Sequence, residues 1–130
     1  MKIAIGTDDK KNIRKGHFCE SRYFLVTELL NAQIVGQELR DNSCGEAGKE
    51  NQDQPERVIN LLKDCAIFMA ESMEEKSLVE IRSRNLDCII TSIQEIDTAI
   101  SSYIDGQIEA FKYFDKNAKD LIPCSQRNYL

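Results

Sequence analysis

The chain has 130 residues, a length that corresponds to one domain, and 42% of its residues are hydrophobic, which is enough for a packed core. No apolar run approaches the roughly 20 residues that span a bilayer, and the N-terminal apolar run is too short for a signal peptide. We therefore expect a cytoplasmic protein with no membrane contact. The net charge of −5 disfavours nucleic acid as a partner, because phosphate backbones carry the same sign.

The first part of the chain predicts three strands. Residues 2–7 are almost continuously apolar, as expected for a central strand. Residues 22–29 alternate in polarity, and residues 33–40 form a further strand after a turn at Asn31-Ala32, so the two are predicted to pair as an antiparallel hairpin. The polar segment 41–54 is long for a loop in a small domain, which is typical of a functional or disordered connection.

The second part of the chain alternates between helices and strands. Helices are expected from about 55 to 64, where Pro55 suits the first turn, from 72 to 84, and after residue 95. Capping-box spacing at Ser72–Glu75 and at Ser92–Glu95 favours helix starts there. Short apolar strands are expected at 66–69 and 86–91, with Asn85 and Asp105-Gly106 as helix stops.

This order of elements predicts a mixed sheet in which the first, fourth and fifth strands are parallel. We expect a single domain over residues 1–108. Residues 109–130 are expected to form a further helix or arm that packs on the domain or on a partner, with Phe111, Tyr113 and Phe114 as apolar anchors.

The candidate ligands for a soft metal lie in loops. His17 is the only histidine, and it is two residues from Cys19 in the loop after the first strand. Thiolate and imidazole are the ligands that soft metals prefer, although a single loop histidine is more often a surface residue. Cys44 lies in the long polar loop, where it is either a ligand or a free thiol. Cys65 and Cys88 fall in apolar segments and are expected to be core residues, while Cys124 is either a reactive thiol or irrelevant.

Three further groups are open to more than one interpretation. Lys10, Lys11, Arg14 and Lys15 form a basic cluster, which is either a solvated loop or a local attraction for an anion. Asp8 follows the first strand, where a two-metal nuclease would need more converging carboxylates than the sequence offers, so we expect it to cap the loop. Met69 and Met73 are either thioether ligands or core residues.

The chain resembles a known family at several points along residues 1–108. The similarity is carried by Met1 to Asp9, the Gly16-His17-Phe18 loop, Arg22 to Val26, Leu61 to Cys65, Thr91, Ala99, Tyr103 and Gly106. These segments resemble the dinitrogenase iron-molybdenum cofactor biosynthesis family, which includes NifX-type cluster carriers and the molybdenum-copper orange protein. The chain departs from that family in lacking histidines in the 41–54 loop and a glycine-rich turn at Ala70–Met73.

The resemblance implies a three-layer, ribonuclease-H-like α/β fold with a mixed five-stranded sheet. It also implies a non-enzymatic carrier of an iron-sulfur or molybdenum-containing cluster, or of a cofactor precursor. Cluster donor and acceptor proteins would be its partners, and whether the chain forms a homodimer is left open. The cluster would be bound by His17, Cys19 and Cys44, with Asp8 beside it. The alternative is a cluster-free interaction or regulatory module on the same fold, which the two departures favour.

Overall fold

Apolar strands and amphipathic helices alternate along the chain as the sequence predicts. The computed structural model describes residues 1–42 and 54–126. The elements are β1 (Lys2–Thr7), β2 (Tyr23–Leu30), β3 (Gln33–Asp41), α1 (Gln54–Leu61), β4 (Ile67–Ala70), α2 (Glu75–Ser83), β5 (Asp87–Thr91), α3 (Ile96–Ile104), β6 (Phe111–Asp115) and β7 (Asp120–Pro123).

The strands form one mixed sheet with the order β3-β2-β1-β4-β5-β6-β7. β1, β4 and β5 are parallel neighbours, which confirms the prediction for these strands. The other neighbouring pairs are antiparallel. The predicted count of five strands is wrong, because the sheet continues through β6 and β7. The ribonuclease-H-like assignment and the domain boundary at residue 108 stay predictions.

Each face of the sheet has its own hydrophobic core, because successive side chains of a strand point to opposite faces. Ala4, Phe68 and Cys88 face the core that α1 and α2 cover. Ile3 and Met69 face the second core, to which α3 contributes Ile96, Ala99 and Ile100. The arrangement therefore has three layers, with helices on both faces of the central strands.

The hairpin of β2 and β3 forms one edge of the sheet. Asn31 and Ala32 have φ angles of 54° and 61°, which fit a two-residue hairpin turn and confirm the predicted turn. Ile34, Val35 and Leu39 of β3 are exposed, although they are apolar. No helix of the described residues is long and apolar enough to cross a membrane.

The expected helix stops agree with the structure, whereas the expected capping boxes do not. Asn85 has a φ of 63°, and Gly106 has a φ of 77°, so both expected stops are confirmed. The two capping boxes are wrong, because the residues that precede α2 and α3 are Glu74 and Glu95, and neither makes a side-chain capping hydrogen bond. Ser72 instead lies beside His17.

Candidate functional site

The loop between β1 and β2 crosses the carboxyl ends of the parallel strands. The amide of Ile13 donates to the carbonyl of Gln94 at 2.7 Å, next to the start of α3. The amide of Phe18 donates to the carbonyl of Ser72 at 3.0 Å, just after β4. The loop is therefore attached to the segments that follow both β4 and β5, at the edge where open α/β sheets bind ligands.

Asp9 fixes the first half of this loop. Its carboxylate accepts hydrogen bonds from the amides of Lys11 and Asn12 at 2.9 and 2.7 Å, and from the Asn12 side chain at 2.9 Å. These bonds to Asn12 and Lys11 hold the pKa of Asp9 well below its ordinary value. The capping role expected for Asp8 belongs to Asp9 in the structure.

Asp8 connects the two ends of the loop. One of its carboxylate oxygens accepts from Nη1 of Arg14 at 2.6 Å, and the other accepts from the amide of Arg22 at 2.9 Å. Arg14 also lies 3.8 Å from the Glu20 carboxylate. Both oxygens of Asp8 therefore hold the loop together.

His17 is half-buried beside the segment that follows β4. It forms a parallel β-bridge with Ser72, and Nδ1 of its ring lies 3.3 Å from the Ser72 hydroxyl oxygen. When Nδ1 carries the proton it donates to Ser72, and the lone pair of Nε2 is then available to a metal. The Ser72 hydroxyl can accept from a protonated Nδ1 or donate to an unprotonated one, so it orients the ring and is compatible with the tautomer that leaves Nε2 free.

Cys19 is placed differently from His17. It lies in a single 3₁₀ turn, Phe18–Glu20, and is only 4% exposed, in the core below α1 and α2. Its Sγ contacts the Ser77 hydroxyl at 3.8 Å. Burial raises the pKa of the Cys19 thiol to about 11, which disfavours the thiolate that binds metals. The structure therefore does not present His17 and Cys19 to the same surface as a ready pair.

Of the other cysteines and methionines that the sequence singled out, all that the structure describes are buried. Cys44 lies outside the described residues. Cys65 and Cys88 are buried, as predicted, and so is Cys124. Met69 and Met73 are also buried, which confirms the core interpretation for both. Within residues 1–42 and 54–126, no three His, Cys, Asp or Glu side chains form a group that could hold a metal ion.

Two clefts lie at the carboxyl edge of the sheet. One, of about 410 Å³, is lined mainly by residues of the loop, among them Asp8, Asn12 and Lys15. The other, of about 400 Å³, is lined by the end of β5, by residues of β6 and β7, and by Glu71 after β4. The first cleft is therefore the one that the loop itself forms.

The basic cluster has less available charge than its sequence suggests. Arg14 is paired with Asp8, and Nζ of Lys10 lies 5.0 Å from the centre of the Tyr23 ring. Lys10, Lys11 and Lys15 are exposed. The cluster is therefore partly structural through Arg14, and its three lysines face the solvent.

Sequence reasoning missed Ser72 and Ser77 as partners of the candidate ligands. The hydroxyl of Ser72 contacts His17, and the hydroxyl of Ser77 contacts Cys19. Both partners are 55 or more residues away from the ligand in sequence, so no local spacing signals them. The only available signal was the parallel alignment of β1 and β4, which brings the segments after these strands together.

Comparisons with known proteins agree on one family and one fold. Residues 1–106 match the family model Nitro_FeMo-Co, described as dinitrogenase iron-molybdenum cofactor. The crystal structure of PH0822 is similar with a TM-score of 0.66 and 22% identity, and the alignment covers 82% of this chain and 90% of that one. The comparison with curated proteins gives no match.

Two further solved structures show the same fold. MJ0327 of Methanocaldococcus jannaschii, a dinitrogenase candidate, has a TM-score of 0.62 at 18% identity, with 82% of this chain and 90% of that chain covered. TM1290 of Thermotoga, a NifB candidate of the DUF35 family, has a TM-score of 0.59 at 14% identity, with 82% and 89% covered. At these identities the likeness concerns the fold.

Proposed function

This chain belongs to the dinitrogenase iron-molybdenum cofactor family, and from that membership we propose that it is a non-enzymatic carrier of a metal-sulfur cluster or a cofactor precursor. The family implies a role in the biosynthesis of the iron-molybdenum cofactor. The cluster is cargo that the protein receives from a donor protein and passes to an acceptor protein. The proposal rests on one observation in particular, which is the position of His17.

His17 lies where a carrier needs an accessible ligand. The loop that holds it is attached to the segments after β4 and β5, and its side chain is half-buried beside Ser72. A single imidazole fixed by a hydroxyl would contribute one directed bond to a cluster without enclosing it. Transfer of a cluster to an acceptor requires an open site with few protein ligands, because every additional bond between protein and cluster must be broken on release.

The remaining predicted ligands take different parts in the proposal. Cys44 would supply a thiolate from outside the described residues. Cys19 would become a ligand only when the Phe18–Glu20 turn opens, since its thiol is buried. Asp8 would hold the loop in place through Arg14 and Arg22. The exposed Lys11 and Lys15 would offset part of the negative charge of an anionic cluster.

A second candidate function is a cluster-free interaction module, and the burial of Cys19 favours it. A thiol that packs in the core and contacts Ser77 serves the fold as a small apolar residue. In that case the protein would have kept the loop between β1 and β2 but would no longer bind a cluster. Both candidate functions are compatible with partner proteins and with a homodimer.

Anaerobic reconstitution with iron, sulfide and molybdate tests the proposal. We expect stoichiometric cluster uptake by the native chain, measured by absorption spectra and metal analysis. His17→Ala should lower the uptake most, because it removes the accessible ligand. Ser72→Ala should lower it less, since the ring keeps both nitrogens but loses the hydroxyl that orients it.

One control variant and two cysteine variants make the experiment decisive. Lys63→Gln changes an exposed side chain away from the loop and should leave cluster uptake unchanged. Cys19→Ser and Cys44→Ser, prepared separately, assign the thiolate ligand. If the native chain takes up no cluster, the carrier function is wrong and the interaction module remains. If uptake is the same in His17→Ala, the site lies elsewhere in the chain.

A further inference from the structure

A separate cavity lies at the opposite end of the sheet from His17. β6 runs antiparallel to β5, with Phe111 beside Thr91, so the turn after β6 returns to the amino end of β5. A cavity of about 250 Å³ is found there, between the last turn of α2 and the β6–β7 turn. Its lining residues are Val79, Arg82, Ser83, Phe114, Lys116, Asn117 and Lys119.

The wall of this cavity is apolar where it meets the protein core. Phe114 is 3% exposed and belongs to the core below α1 and α2. Val79 of α2 is 44% exposed, whereas Leu78 and Ile81 of the same helix pack inside. A ligand with an apolar group would cover Val79 and gain the free energy of that burial.

The same cavity has a positive rim in a chain of negative net charge. Arg82, Lys116 and Lys119 line it, and no carboxylate is among its lining residues. Both lysines are exposed. Nη1 of Arg82 donates to the carbonyl of Leu86 at 2.9 Å and lies 3.9 Å from the Asp87 carboxylate, so the two lysines supply most of the rim's charge. Nε of Arg82 is buried and has no hydrogen-bond partner among the described atoms. A buried donor of this kind is costly unless something accepts from it.

The turn that carries the two lysines is already ordered by its own hydrogen bonds. The amide of Lys119 donates to the carbonyl of Asp115 at 2.7 Å, and the amide of Ala118 donates to the Asp115 carboxylate at 2.7 Å. Lys119 has a φ of 54°, a left-handed conformation that these bonds stabilise. Binding here would not have to order the turn, so little affinity would be lost to conformational entropy.

We infer that this cavity binds a small carboxylate that carries an aromatic or short acyl group. The apolar group would pack against Val79 and Phe114, and the carboxylate would lie among Arg82, Lys116 and Lys119. The inference does not depend on cluster binding, because the cavity and the His17 loop are at opposite ends of the sheet.

Titration with 1-naphthoate and its neutral analogue 1-naphthamide, followed by amide NMR shifts, tests this inference. We expect both to shift the signals of Val79 and Asn117, and the amide to bind about tenfold more weakly, which corresponds to about 1.4 kcal/mol. A double variant, Lys116→Gln with Lys119→Gln, should weaken naphthoate binding about tenfold and leave naphthamide unaffected. Raised salt should weaken only the naphthoate complex.

A matched pair of substitutions controls for overall charge. Lys63→Gln with Lys112→Gln removes the same charge from two exposed positions outside the cavity and should not change naphthoate binding. Val79→Asp adds a negative charge at an exposed position and should abolish naphthoate binding while the fold is retained. Equal affinity for the acid and the amide, shifts confined to other residues, or equal weakening by both lysine pairs would overturn the inference.

Discussion

The thiol of Cys19 should react far more slowly in the folded protein than in the unfolded chain. Cys19 is 4% exposed and contacts Ser77, and burial raises the pKa of its thiol from 9.0 to about 11. That change alone lowers the thiolate fraction at mildly alkaline pH about 100-fold, because each pH unit is a factor of ten. Restricted access to the buried sulfur lowers the rate further.

Alkylation with iodoacetamide, read out by peptide mass spectrometry, measures this for each cysteine in the same sample. The rate at Cys19 in the native chain is compared with its rate in urea, and we expect a ratio below about 1 to 100. Cys88, whose pKa burial raises to about 12, should be at least as protected and serves as an internal reference.

Comparable labelling of Cys19 in the native chain and in urea would refute this reasoning. It would mean that the Phe18–Glu20 turn opens readily and that the thiol can reach a cargo cluster without a large cost. Slow labelling, followed by cluster uptake that Cys19→Ser does not change, would instead assign Cys19 to the core.

Three further substitutions test how the loop and the sheet edge are held. Asp64→Asn should lower the free energy of unfolding by about 1 kcal/mol in urea titrations, because it breaks the paired 2.7 Å bonds from Arg40, which are partly screened by solvent. Arg40 also holds the pKa of Asp64 below its ordinary value of 3.8. The stability that Asp64 contributes is therefore fully present above pH 3.8 and is lost as the pH falls through the lower pKa of the folded state. A difference in stability between the native chain and Asp64→Asn that does not change with pH would contradict this. Gly6→Ala should cost about 1–3 kcal/mol by the same assay, since the added Cβ meets the Ser21 side chain and lies 3.2 Å from the Phe18 ring; unchanged stability would show that the loop can shift freely. Asp9→Ala should raise amide hydrogen exchange at residues 11 and 12, with Lys63→Gln as control, because the carboxylate that accepts from both amides is gone.

The elements that the sequence predicted correctly have either a clear period, as in β2 and the helices, or a short apolar run between turn signals, as in β1 and β4. β6 was missed because Phe111 and Tyr113 pack on one face of the sheet while Phe114 packs on the other. Apolar residues at positions 111 and 114 are as compatible with a helix as with a strand that has two buried faces. The turn after β6 was also hidden, since it places Lys119, and no glycine, in the left-handed conformation.

The loop could be located from sequence, but the accessibility of its side chains could not. His17 and Cys19 are two residues apart, and nothing in the sequence tells which of them turns inward. The backbone bond from Phe18 to Ser72 decides it, because it draws Phe18 and Cys19 under the segment after β4. A contact across 54 positions of the chain thus separates two candidate ligands that the sequence places side by side.

The way in which the loop is fixed bears on how a cargo could be held and released. Asp8 and Asp9 order the loop through bonds within the protein, so His17 is in place before any cluster arrives. Recruiting Cys19 would require moving Phe18, whose ring centre lies 4.9 Å from that of Phe24 and 5.2 Å from that of Phe68. The free energy of that opening would be subtracted from the affinity for cargo, because only the open fraction of the protein binds with both ligands. A carrier built in this way would bind weakly through His17 and tightly only when a donor or acceptor opens the turn, which ties transfer to the encounter between proteins.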